Sequence, residues 1–202
     1  MKKFHISVLL ASILIVSVAT LIYTTGKDYP TTLIASSSWP EEVLNNTFLS
    51  DHSDSIVTGY VIKILPGRWN TPDGKKPIVS IDKRPTPNEE KIYTDVIIKV
   101  DKKISKELTS EVITVRTLGG QVGEDRMIVE DEAKFELGEN VLLFLTKEDP
   151  FTDNSDGAHY RITSWKHGKF SITKDNQAVR SDVPTEYQKI PLEMLLKSIG
   201  AQ

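Results

Sequence analysis

Five consecutive apolar residues, Val141-Leu142-Leu143-Phe144-Leu145, are what this chain must bury before anything else. Successive side chains of a β-strand point to opposite faces, so a run with no polar member needs cover on both. Residues 111–146 surround it and read as strand, glycine corner, further strand-like sequence, then the run itself. Gly119-Gly120 with Gly123 marks a tight turn that needs positive φ. It is not read as a phosphate cradle, because no helix N-terminus follows it. The run is therefore expected at the centre of a sheet.

The neighbouring segments supply the partners. Residues 92–104 alternate, with Val96, Ile98 and Val100 on one face and Asp95, Lys99 and Asp101 on the other. Residues 112–118 place Ile113 and Val115 inward and Thr114 and Arg116 outward, and the short join at 105–110 makes an antiparallel pair. Residues 55–65 form a first strand in which Gly59 marks a bulge. Residues 127–130 are expected to continue the same sheet. Residues 160–165 and 169–173 are expected to form a hairpin about Lys166-His167-Gly168, and 177–180 a last strand after the Asp175-Asn176 turn. A helix over 39–49 is announced by Ser38 with Glu41 three residues on, Pro40 being tolerated in its first turn. Pro191 opens a second helix over 192–199, which Gly200 closes, with Leu192, Leu195, Leu196 and Ile199 on one side.

Short strands separated by regular turns define the expected fold class. It is mainly β, a small OB-like barrel, closed or partly open, with a short helix at each end. An N-terminal hydrophobic helix precedes it. After Lys2 and Lys3, residues 4–23 carry no charge, enough to span a bilayer as a helix. Two readings stand: an uncleaved anchor with the domain outside the cell membrane, or a signal peptide cut near Ala19, where Ser17-Val18-Ala19 has the small-x-small pattern. The domain reading is residues 1–26 as anchor or signal, 27–38 as a tether, and 39–202 as the β domain. Lys2 and Lys3 are the only charges in residues 1–26, so the rest carries 23 basic against 28 acidic residues. A mildly acidic domain without a basic block does not suit a nucleic-acid backbone. The chain has no cysteine, which excludes disulfides, thiolate chemistry and cysteine-type zinc sites.

Catalytic motifs are missing: there is no G-x-S-x-G elbow, no H-E-x-x-H and no P-loop. No metal and no cofactor is expected. His159 and His167 flank the expected hairpin, but two ligands without a third do not make a transition-metal site. Asp149, Asp153, Asn154 and Asp156 with Gly157 have the composition of a calcium loop but not its spacing, and read as a solvated acidic turn. The irregular, proline-rich segment 66–91 reads either as a mobile excursion or as a binding loop, and any function is expected to sit on it. Arg68 and Trp69 on it, with Tyr93 nearby, are the ligand-binding candidates, because an exposed tryptophan makes an effective anchor; the alternative for Trp69 is that it covers the end of the barrel.

One ordered series of residues carries a resemblance. It runs Asp54-Ser55-Ile56-Val57-Thr58-Gly59-Tyr60-Val61, Tyr93-Thr94-Asp95-Val96, Val115-Arg116-Thr117-Leu118-Gly119-Gly120-Gln121-Val122-Gly123, Phe135, Gly138-Glu139-Asn140 with the apolar run, and Gly168-Lys169-Phe170. The series resembles an uncharacterised family of exported prokaryotic β-barrel domains with a signal or anchor in front and a short helix behind. The resemblance implies a fold and no activity. The strand order is also distantly similar to netrin modules and tissue inhibitors of metalloproteinases. Those inhibitors chelate zinc through an N-terminal cysteine, which this chain lacks. The expectation is a non-catalytic extracellular module, membrane-anchored or secreted, that binds a protein, a peptide or cell-wall glycan. A cell-envelope hydrolase using the acidic loop with His159 or His167, and a protease-inhibitor-like module, are the alternatives.

Overall fold

Val141 to Leu145 are each fully buried in a strand that is paired on both edges. The computed structural model describes residues 31–36, 40–78, 84–104, 108–152, 157–181 and 183–200. In chain order these hold β1 (Thr32–Ala35), a 3₁₀ turn (Glu41–Leu44), α1 (Asn46–Asp51), β2 (Ser55–Ile64), β3 (Arg68–Trp69), β4 (Ile92–Lys103), β5 (Val112–Leu118), β6 (Gly120–Val122), β7 (Asp125–Val129) and β8 (Asn140–Thr146). Then follow β9 (Arg161–Ile162), a second 3₁₀ turn (Trp165–Gly168), β10 (Lys169–Ile172), β11 (Gln177–Val179), α2 (Thr185–Gln188), β12 (Lys189–Pro191) and α3 (Leu192–Ser198). The expected N-terminal helix lies outside the described residues. Among those described, no helix is long and apolar enough to cross a membrane.

The fold is mainly β. The large sheet runs β12-β11-β10-β8-β2-β4-β3, with β5 on β4 and β9 on β8. The missing alternation in β8 has a direct cause: the strand separates two cores. Val141, Leu143 and Leu145 pack with Val57, Val61, Val96, Ile98, Ile113 and Val115. Leu142 and Phe144 pack on the other face with Ile56, Phe170 and Ala178 of neighbouring strands and with Leu49 and Leu195 of the helices at the two ends. Each such side chain contributes roughly 1.5–3 kcal/mol on burial.

The strands do not close into a barrel, contrary to the closed form of the expectation. β5 and β9 meet through one isolated parallel bridge, Val115 with Tyr160. There Arg116 N–H donates to Tyr160 O at 2.8 Å and Tyr160 N–H to Thr114 O at 2.9 Å. β9 is too short to extend this contact into a ladder, because Ser164 and Trp165, at φ 56° and 59°, turn the chain away. That excursion also replaces the expected hairpin. β9 and β10 do not pair with each other; both run antiparallel along β8, interrupted by the 3₁₀ turn.

Residues 127–130 do not continue the large sheet. β7 belongs to a separate three-stranded sheet, ordered β1-β7-β6. Gly119 and Gly120, at φ 101° and 136°, let the chain leave β5 and turn into this ribbon. The segment read as a tether supplies β1, parallel to β7 with Thr32 opposite Arg126 and Ala35 opposite Val129. Thr31 N–H ties its start to Asp125 Oδ1 at 2.9 Å. The bulge at Gly59 is present, as a register shift between Thr58 and Gly59. A Cβ there would strike the Lys99 carbonyl.

The first helix is divided. Asn45 caps α1, its Oδ1 accepting the Thr47 N–H at 2.8 Å, while Val43 and Leu44 belong to the preceding 3₁₀ turn. The expected cap Ser38 lies outside the described residues. α3 matches its expectation: Leu195 is buried and Leu192, Leu196 and Ile199 pack against the helical-side core.

Candidate functional site: a cavity backed by a buried charge cluster

The three expected binding residues do not form a shared surface. Trp69 is 3% exposed and pairs with Ile92, so it seals the core end of the long loop and is no exposed anchor. Tyr93 is equally buried, with the Arg116 guanidinium 3.8 Å from its ring centre. Arg68 alone faces solvent. Arg116 is not outward as expected. It is buried because Asp95 accepts from its Nε and Nη2, both at 2.8 Å, and the Tyr93 ring covers it.

The acidic turn holds the largest surprise. Asp153, Asn154 and Asp156 lie outside the described residues, but Asp149 is buried and not solvated, with 1% of its side chain exposed. Its Oδ2 is 2.9 Å from His159 Nε2, and the Thr152 hydroxyl donates to the same oxygen. Oδ1 accepts the N–H groups of Phe151 at 2.9 Å and Thr152 at 3.2 Å. Burial pushes the Asp149 carboxyl up, but the His159, Thr152 and Phe151 hydrogen bonds and nearby Arg161 outweigh it and hold it at about 2. Arg161 reaches Asp149 Oδ1 with its Nε and Glu132 Oε2 with its Nη2, each at 3.8 Å. Its guanidinium lies over both the Phe151 and Trp165 rings, 4.6 and 4.5 Å from their centres, and the two rings also contact each other. Nη2 has no hydrogen-bond partner among the described residues.

Glu132 closes the cluster. It is 6% exposed. Leu118 N–H donates to its Oε2 at 2.9 Å and Ala133 N–H to its Oε1 at 3.4 Å. Burial pushes its carboxyl up to about 7, against the pull of Arg161 and these two N–H groups. Sequence reasoning assigned Glu132 nothing. Its only signal is a carboxylate between the glycine corner and the apolar run.

His159 and His167 do not share a site. His159 serves Asp149, whereas burial beside Lys166 and Arg180 pulls His167 down to about 4. Among the described residues no group of three or more His, Asp or Glu side chains is placed to hold a metal ion. The Thr152, His159 and Asp149 contact is also not arranged as a nucleophile and base. The hydroxyl gives its proton to Asp149 and not to the imidazole, which lies 3.4 Å from it.

In front of Glu132 lies a cavity of about 380 Å³, between β4–β5 and the β6–β7 ribbon. Its walls are largely apolar, formed by Val96, Leu118, Met127, Val129, Ala133 and Phe135. The Thr94 and Thr117 hydroxyls on it are already used, donating to Gly119 O and Thr94 O. Arg126 and Lys134, both exposed, complete the lining. A larger recess of about 540 Å³ lies against the 3₁₀ turn, α1 and β12. The buried Arg180 lining it donates to three carbonyls, of Leu44, His167 and Tyr187, and Tyr187 hydroxyl to Glu41. Among the described residues, Asn46 Oδ1 on that recess has no hydrogen-bond partner; what sets the smaller cavity apart is the perturbed carboxyl of Glu132 on its wall. An apolar cavity with one perturbed carboxyl is the arrangement expected of a binding site.

Fold and cavity together define a mainly β, two-sheet domain with a ligand-sized recess that opens to solvent. Compared with known proteins, the chain matches no family model and no curated sequence.

Proposed function

We propose that this is a non-catalytic ligand-binding domain that takes an apolar-bodied ligand or peptide side chain between its two sheets. The observation that carries the reading is the cavity of about 380 Å³, which lies within the usual range for small-molecule sites. The site differs from the surface expected on the 66–91 loop, whose Trp69 is committed to the core. The proposal includes a location outside a membrane, with residues 1–26 as anchor or cleaved signal. The uncharged run behind Lys2 and Lys3 supports that part. It also includes a partly open OB-like arrangement, supported by the single bridge between β5 and the start of β9.

A thermal-shift screen of the full chain against apolar-bodied small molecules and short peptides tests the binding reading. A ligand that raises the melting temperature of the native chain, and not of Val129→Phe, is the expected result. No stabilising ligand, or equal stabilisation of both proteins, sinks the reading. Mass spectrometry of the membrane fraction separates anchor from cleaved signal.

A further inference from the structure

The charge cluster and the cavity specify more than an apolar ligand. Glu132 and Asp149 are two buried carboxylates that share one guanidinium, Arg161, at 3.8 Å from each. They are not equally served. Asp149 has His159, the Thr152 hydroxyl and two backbone N–H groups. Glu132 has two backbone N–H groups, one of them long at 3.4 Å, and Arg161 makes no hydrogen bond to it. An ionised carboxylate offers about four acceptor positions. Glu132 is therefore the member of the cluster with acceptor capacity left, and it is the member that lines the cavity.

The other charged groups around it are already committed or face outward. Lys166 pairs with the adjacent Asp131 at 3.3 Å and Lys169 with Glu139 at 2.6 Å, while Arg180 donates to three backbone carbonyls. Arg126 and Lys134, on the cavity lining, are exposed to solvent. Lys91 lies over the Phe151 ring, 5.0 Å from its centre, on the Asp149 side. A buried carboxylate with spare acceptor positions is satisfied by a hydrogen-bonding cation. The apolar walls in front of it fit a hydrocarbon stem and not a hydrated metal ion.

We propose, building on the binding reading above, that the cavity takes a primary alkylammonium, with its stem against Val96, Met127 and Phe135 and its ammonium on the Glu132 carboxylate. The group arrives either as a small free amine or as a lysine side chain of a protein partner. Binding selects the ionised carboxylate, so it releases a proton wherever Glu132 is protonated in the free protein.

Calorimetric titration of the full chain with n-hexylammonium and with 1-hexanol, at pH 6 and pH 8, tests this. Because the Glu132 carboxyl lies at about 7, n-hexylammonium should bind about tenfold tighter at pH 8 than at pH 6, and 1-hexanol equally at both. In Glu132→Gln the amine should fall to the affinity of the alcohol at either pH, with the far-ultraviolet circular dichroism unchanged. If that variant does not fold, the pH dependence and the amine-over-alcohol preference of the native chain still decide the matter. Equal affinity for amine and alcohol, or no change with pH, overturns the alkylammonium proposal and leaves the cavity reading standing. Failure of both probes to bind overturns the cavity reading as well. A blocked lysine peptide and its Nε-acetylated form separate the two sources. Tighter binding of the lysine peptide than of n-hexylammonium, lost on acetylation, assigns a protein partner, and the reverse order assigns a small amine.

Discussion

Two buried arginines in this domain differ in one respect that separates scaffold from site. Arg116 holds Asp95 through two hydrogen bonds of 2.8 Å and is capped by the Tyr93 ring. Arg161 stands 3.8 Å from both Glu132 and Asp149 and is held mainly by the rings of Phe151 and Trp165. Both are about equally hidden, at 3% and 5% exposure. The first pair is saturated, so it can only stabilise. The second cluster keeps a carboxyl near neutrality at the wall of a cavity, and that is where a ligand can change the protonation state. Burial of charge is common to both; unfinished hydrogen bonding is not.

Mutations should separate the two regions. The largest effect is expected from Arg116→Met, which strands Asp95 in a mostly buried position and uncovers Tyr93. Urea unfolding should show a loss of about 3–5 kcal/mol. A comparable loss in Arg161→Met would erase the distinction between the two arginines.

Next in size is the pH dependence of Glu132. Its carboxyl rises from an ordinary 4.5 to about 7 on folding. Between those values the folded state binds more protons than the unfolded one. The contribution is therefore fully present below pH 4.5 and is lost as pH rises through about 7, a change of about 3 kcal/mol. Other groups act in the opposite sense. His167, lowered from 6.5 to about 4, and Asp149, lowered from 3.8 to about 2, each cost stability as pH falls through their windows. The difference in unfolding free energy between the native chain and Glu132→Gln cancels those groups. It should fall as pH rises from 4.5 to 7.5, and a flat difference would remove Glu132 as the perturbed member.

Next come two isosteric neutralisations at pH 7. Asp95→Asn should cost about 2 kcal/mol, because it removes the charge from a bidentate pair with a buried guanidinium. Glu132→Gln should not destabilise at pH 7 and should stabilise by up to about 3 kcal/mol, since a side chain that never ionises avoids the cost of taking an ionised unfolded-state carboxylate into a buried site. Chemical denaturation of both variants in one buffer makes the comparison. The smallest destabilisation belongs to Arg161→Lys, about 1 kcal/mol, through lost stacking on Phe151 and Trp165 and not through lost hydrogen bonds. A double-mutant cycle with Trp165→Leu should show that the two losses are coupled.

Much of the backbone was legible in the sequence, and for local reasons. Period-two alternation located β4 and β5, and the unbroken apolar run announced a strand with cover on both faces. Gly59 marked a bulge and Gly119-Gly120 a corner, because only glycine tolerates those contacts and angles. Strand partnership was less legible. Nothing within residues 127–130 distinguishes a place in the large sheet from one beside β1. The turn at 166–168 looked like a hairpin because its neighbours on β8, not its own residues, decide that β9 and β10 lie end to end.

The site was scarcely legible at all. His159 and Asp149 were each noted, but as a flank and as a solvated acid. Of the two places open to Trp69, an exposed anchor or a cover for the end of the strands, the structure takes the second, and nothing in the sequence singles out Glu132. By itself the sequence determined which stretches are extended, where they break, and that the strand of residues 140–146 must be the most covered. Only the tertiary structure decided which polar side chains are buried with it. Alternation along a strand tells which side a residue faces. It does not tell what lies across that side, and Arg161 meets Glu132 from 29 residues away along the chain.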